Sequence, residues 1–452
     1  MTPVNEHVKI QSAIPGPRSQ KMVADAMDVI ARAQYAGLFG IAVTSGKDAY
    51  LTDADGNTFL DFLAGASAVS VGYGRQEIID VYAKTAQKIQ HSCFPYSPNE
   101  EATRFAEKLI ETSPGRFDKR VLFGLAGSDG VDAAVKIARR YTKRPRIISF
   151  RGGYHGSTGF SLSANGFEGL QKGLFISDNF VMADFPRTPA AAEKTLAEIE
   201  VLLKQNDVAA LITECIQGDG GNVVAPPDFH PQLAELVHRY GALFVVDEVQ
   251  SGAGRSGEWW ECQTYGLEPD VICTGKAITS GYIPMSACIA NAEMAQTLDK
   301  AQHLFTYSGH PPSAAVGLKV FEIIENENLR QNAAKRGAQL RSGLQKLVDQ
   351  YPFAKEVRGR GLHVGFEVFD EQKNTPLGGL FAFRCVEKGI YPGYFGSKNE
   401  VMRLHPPLII DEEEMAFALA VITSVVEEWA NNAFPQETIQ NYRQFGVGLG
   451  TD

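Results

Sequence analysis

The chain has 452 residues, 44% hydrophobic and 21% charged, enough to bury a large core spread over two or three domains. Its formal net charge of −10 argues against a nucleic-acid partner or an anionic membrane, since both recruit clustered cations. No apolar run approaches the roughly 20 residues needed to span a bilayer. The opening MTPVNEHVKI has no long apolar core, and the six cysteines (Cys93, Cys215, Cys262, Cys273, Cys288, Cys385) show no CxxC spacing. We therefore expect a cytoplasmic protein with reduced thiols, no secretory signal, no disulfide frame and no metal site.

In chain order, Ile14–Ser19 (IPGPRS) is a Pro/Gly-punctuated loop, and a helix is predicted from about Gln20 to Tyr35. Ala49–Leu63 reads as a hairpin turning at Asp55-Gly56-Asn57. From about Glu77, amphipathic helices alternate with short continuous apolar runs: Arg120–Phe123, Arg146–Phe150, Val208–Thr213, Ala242–Val246 and Val271–Thr274. Such runs between helices predict an α/β domain with a mostly parallel sheet covered on both faces. After about Glu325 come long charged helices and a few short strands, among them His363–Val368. The expected division is 1–70 as an N-terminal segment joining a smaller α+β domain, 71–325 as the large domain, and 326–452 as the rest of the smaller one.

Chemistry gathers at the ends of these runs. Leu125–Gly130 (LAGSDG) precedes a helix with apolar residues at Val131, Ala134, Val135 and Ala138. Ser128 is its expected N-cap, and such a helix start is a ready phosphate site as well as an ordinary capped helix. Gly152–Gly156 (GGYHG) sets Tyr154 and His155 among glycines, so that rings can approach a flat ligand; His155 is otherwise a structural histidine. Asp247-Glu248 ends a buried strand, where open α/β sheets place their ligands, or serves as a plain loop acid. Gly252–Gly257 (GAGRSG) matches the dinucleotide fingerprint, but the strand does not run directly into its first glycine, so a nicotinamide cofactor is not expected. Lys276, just past Cys273-Thr274-Gly275, has no P-loop around it. A lysine at one strand end and an aspartate at another suit Schiff-base chemistry, because desolvation and cationic neighbours can make the amine nucleophilic.

Taken together, IPGPRS, DADGNTFLDF, LAGSD, GGYHG, ALFVVDEVQSGAG, CTGK, FTYSGHP and Met402-Arg403-Leu404 resemble the class III aminotransferases, pyridoxal-phosphate (PLP) enzymes of fold type I. The resemblance spans nearly the whole chain. It implies that Lys276 holds PLP as an aldimine and shuttles the substrate Cα proton, while Asp247 pairs with the pyridine nitrogen. It also implies that Tyr154 and Val249 sandwich the ring, with His155 beside them, and that Gln250 reaches the ring hydroxyl. Gly127, Ser128 and Asp129 would bind the phosphate, and Thr306 the phosphate of a neighbouring subunit, so a homodimer or larger assembly with shared sites is expected. Glu214 and Arg403 fall on substrate-side positions of the family.

Two departures bear on the substrate. Ser157 stands where the 4-aminobutyrate transaminases carry an arginine after YHG. Asp219, in IQGDGG, stands where many transaminases have the glutamate that pairs with the arginine matched by Arg403. The family's amino-acid racemases and epimerases, such as isoleucine 2-epimerase, resemble this chain in GSD, YHGST, IQGDGG and HLFTYSG, and there an aspartate at this position is thought to be a second base. Transfer of an amino group from an amino acid or amine to a 2-oxo acid is the main expectation; racemisation or 2-epimerisation with Lys276 and Asp219 as two bases is the alternative.

Overall fold

The computed structural model describes residues 5–446. The chain forms two compact units: residues 1–67, 71–74 and 331–452 in one, and residues 68–70 and 75–330 in the other.

The second, larger unit is built on a seven-stranded sheet. Its order is Lys119–Gly124, Ser286–Asn291, Val271–Thr274, Leu243–Asp247, Val208–Thr213, Arg146–Phe150, Phe180–Ala183. All run parallel except Ser286–Asn291, which is antiparallel to both neighbours. The central strands are apolar at every position because both faces are covered. Ala210, Ile212, Val245 and Cys273 join one core cluster with Val131, Ala134, Val135 and Ala138 of the helix Gly127–Thr142. The alternate residues Leu211, Phe244, Val246 and Ile272 are buried as well. A strand wet on one face would have shown alternation instead.

The smaller unit takes strands from both chain ends. Its sheet runs Val43–Lys47, Tyr50–Asp53, Thr58–Phe62, Ile390–Phe395, Val401–Leu404, His363–Asp370, Ala354–Arg360. The expected hairpin is present: Tyr50–Asp53 pairs antiparallel with Thr58–Phe62, and Asp53 Oδ1 accepts the N–H groups of Asp55 and Asn57 to close the turn. The N-terminal helix occupies Pro17–Val29, three residues earlier at its start than the sequence suggested and ending well before Tyr35. Pro17 at the first position supplies a helix-ready φ and needs no N–H acceptor.

Candidate active site

The carboxyl ends of the large unit's strands carry most of the expected residues. Asp247 ends its strand, in register with Cys273 on the neighbour, and Lys276 follows that neighbour by three residues. The antiparallel strand Ser286–Asn291 begins opposite Gly124, so the Lys276 loop returns to the sheet beside the strand that leads into the helix at Gly127.

Asp247 is 4% exposed and both its oxygens are engaged. Oδ2 lies 2.8 Å from His155 Nδ1, and Oδ1 accepts the Val249 N–H at 3.0 Å. The His155 backbone N–H donates to Asn165 Oδ1, so the imidazole is aimed from two sides. Burial opposes charge on His155, but the Asp247 hydrogen bond and charge, with Glu214 beyond, outweigh it and raise its pKa. The buried carboxylate and imidazole thus face each other at hydrogen-bond distance, where each offsets part of the other's desolvation.

Glu214 spans two loops. Its Oε1 accepts the Tyr154 N–H at 3.1 Å and its Oε2 the Gly218 N–H at 3.0 Å, so one carboxylate fixes both the aromatic loop and the loop bearing Asp219. This bridging role was not read from the sequence. Burial pushes its pKa up to about 7 despite the opposing charge of His155, and Asp247 pushes the same way. Between 4.5 and about 7 the folded chain therefore holds more protons than the unfolded one, and stability falls as pH rises through that window. The raised His155 acts in the same direction: its contribution is complete below 6.5 and is lost as pH passes its folded value. In cofactor-free protein, the midpoint of thermal unfolding should fall less steeply from pH 5 to pH 8 in Glu214→Gln than in the parent. Parallel slopes would contradict the shift.

The helix Gly127–Thr142 begins two residues earlier than a Ser128 cap would place it. Its N-cap is Ala126, and the Asp129 carboxylate turns back to accept the N–H groups of Leu125 (2.7 Å) and Ala126 (3.0 Å). Asp129 thus shapes the loop, while the Ser128 hydroxyl accepts the Ser157 N–H at 3.1 Å. Ser157 Oγ also lies 3.0 Å from the Tyr154 hydroxyl. Gln250 donates to Asp219 Oδ1 at 3.0 Å, joining the residue expected at the ring hydroxyl to the candidate second base.

Lys276 adopts φ 44° and Ser280 φ 49°, left-handed values that cost a non-glycine residue about 1–2 kcal/mol each. Thr306 is exposed. Arg403 lies in the smaller unit, 1% exposed and stacked on Phe395, with Gly393 and Gly365 as its cross-strand partners. The nicotinamide motif is set aside here too, since Gly252–Gly257 forms turns and no α-helix opens there. Among the described residues no group of three His, Cys, Asp or Glu side chains is placed to hold a metal ion.

These residues fit the cofactor that the resemblance implies. The first helical turn leaves the Gly127 and Ser128 N–H groups without intrahelical acceptors, and the positive end of the helix favours a phosphate. A Cβ on Gly127 would come within 2.8 Å of Val249 Cγ1, so only glycine lets backbone and Val249 close together. The buried Asp247 carboxylate suits a pyridinium partner, and Lys276 supplies the amine.

A family model described as class-III aminotransferase matches residues 30–426. An alanine/serine racemase of Pyrococcus horikoshii is 33% identical, covering 94% of this chain and 93% of that protein. A 5-aminovalerate aminotransferase of Pseudomonas putida is 31% identical, covering 86% of this chain and 94% of that protein. An amine transaminase from an uncultivated Pseudomonas species, solved in its PLP-bound form, superimposes with a TM-score of 0.80 at 31% identity, covering 86% of this chain and 95% of that one.

Proposed function

The chain belongs to the class-III aminotransferase family, and from that premise we propose that it moves an amino group from an amino acid or amine to a 2-oxo acid, with PLP carried on Lys276. The observation that carries this reading is the Asp247–His155 pair, 2.8 Å apart and buried beside the strand that leads to Lys276. PLP, when bound, supplies an electron sink for the pair released as the substrate Cα–H bond breaks.

The chain's own residues do the rest. Asp247 presents a fixed negative charge where a protonated ring nitrogen needs one, and His155 keeps that charge in place. Lys276 Nζ would take the substrate Cα proton and hand it on to the cofactor side rather than back to Cα. Tyr154 and Val249 would flank the ring, and Glu214 fixes the Tyr154 loop by accepting its N–H. The Gly127 and Ser128 N–H groups would hold the phosphate. Arg403 is the assigned carboxylate group, since a guanidinium fork suits bidentate binding. Two copies share their sites, with Thr306 of one reaching the phosphate of the other; exposed Leu304 (40%) and Tyr307 (55%) beside it support a covered face. Six free thiols and the family's soluble chemistry support a cytoplasmic location.

Racemisation or 2-epimerisation of a mainly apolar amino acid is the second reading, favoured by Asp219. Its carboxylate is held by Gln250, a shorter acid than the family's glutamate, and the racemase relative covers nearly the full chain. Lys276 Nζ would work one face of Cα and Asp219 the other. One experiment separates the two: single L-amino acids with PLP-loaded enzyme, analysed by chiral chromatography with and without pyruvate. Alanine formed only with pyruvate, and no D-isomer, is the expected result. D-isomer without any oxo acid would replace it with racemisation, and Asp219→Asn should then lose about 10²–10⁴-fold in inversion, the range of a positioned acid–base group.

A further inference from the structure

We infer that Ser70 and Ser280 are positioning residues for Lys276, clamping the left-handed turn that carries it. The inference rests on Lys276 being the cofactor's lysine. Three residues of the N-terminal chain, 68–70, belong to the large unit although their neighbours on both sides belong to the smaller one. They lie against the lysine turn. The Ser70 N–H donates to Ser280 Oγ at 3.0 Å, and the Ser70 hydroxyl donates to the Ala277 carbonyl at 3.2 Å. The Ser280 N–H donates to the same carbonyl at 3.0 Å. One carbonyl, directly after the lysine, thus gathers two donors, while one hydroxyl, four residues after it, accepts a third bond.

Both serines are buried, at 0% and 2% exposure. A hydroxyl group there without partners is unfavourable, and a left-handed serine is a second cost. Glycine would relieve the strain but would leave the Ser70 N–H without this acceptor. Next to it, Gly281 has φ 75° and sits where a Cβ would lie 3.2 Å from Val69 Cγ2, so residues 69 and 70 both press on the turn. The Lys276 side chain must swing between cofactor and substrate in every cycle. A backbone held at Ala277 and Ser280 returns Nζ to one place, and placement errors near 1 Å can cost about 10²-fold in rate.

The test uses the full-length protein with Ser280→Gly, which keeps the turn's backbone preference, and Ser70→Ala. The readouts are the visible circular dichroism of bound PLP, the rate at which cofactor-free protein develops the absorbance of lysine-linked PLP, and kcat and KM separately. Ser280→Gly should lower kcat about 10-fold with KM nearly unchanged. It should also weaken the dichroic band and slow the cofactor reaction, and Ser280→Asn, which tolerates left-handed backbone and offers an oxygen acceptor, should restore both. Folded Ser280→Gly with unaltered dichroism, cofactor rate and kcat overturns the clamp; if Ser70→Ala fails to fold, Ser280→Gly decides alone. A Lys276→Ala protein that still develops the absorbance would instead overturn the lysine assignment, so the two failures are distinguishable.

Discussion

Lys276→Ala should cost the enzyme at least about 10⁴-fold in turnover, the upper end of what a positioned proton-transfer group supplies. The loss would be so large because, in the proposed function, one amine serves twice, anchoring the cofactor and moving the proton at Cα. The two nearby acid–base groups are otherwise engaged: His155 is committed to Asp247, and Glu214 to two backbone N–H groups. The visible absorbance of lysine-linked PLP should vanish, while PLP still binds more weakly through its phosphate at Gly127 and Ser128. A small primary amine added to the variant should return part of the proton transfer. Retained turnover in the alanine variant would remove Lys276 from the mechanism.

Asp247→Ala should be nearly as damaging for a different reason. It strips the counter-charge from a ring nitrogen and leaves His155 buried beside an empty space, without the carboxylate that raises its pKa. Breaking a buried pair by deleting one partner costs about 3–5 kcal/mol. Loss of the fixed counter-charge should separately lower turnover by about 10²–10³-fold, the range for removing one preorganised electrostatic group. Asp247→Asn separates the parts, since it keeps the shape and an acceptor but not the charge. Turnover should fall in both variants, whereas the unfolding midpoint should drop chiefly in the alanine one. A fully active asparagine variant would show that no negative charge is needed at this strand end.

The sequence marked strands best where burial on both faces leaves no choice of residue. Arg146–Phe150, Val208–Thr213 and Val271–Thr274 were bounded to the residue. Ser286–Asn291 escaped because Ser-Ala-Cys-Ile-Ala-Asn is small and mixed, and its antiparallel insertion leaves no local trace. Phe180–Ala183 is a short edge strand, partly exposed at three of its four positions. At the candidate site, Asp247, Lys276 and Gly127 were legible because strand ends and helix starts have signatures. The helix cap was misplaced because Asp129, rather than Ser128, turns back to satisfy the backbone. The Asp247–His155 contact, the Glu214 bridge and the Ser70–Ser280 bond were beyond reach, since side-chain hydrogen bonds between residues distant in sequence follow no period.

The antiparallel strand also dictates a schedule. Gly124, three residues before the helix Gly127–Thr142, has its sheet partner at Ser286, and Lys276 lies in the stretch between. A ribosome adding about 5–20 residues per second needs roughly 10–30 s to make that stretch. Throughout that time the helix start has no lysine loop to meet, so a nascent chain cannot recruit the cofactor as an early folding aid. The hairpin made first of all waits longer still, because Thr58–Phe62 finds its parallel neighbour only in Ile390–Phe395. A hairpin with one open edge for so long is exposed to mispairing with other chains until that neighbour is made.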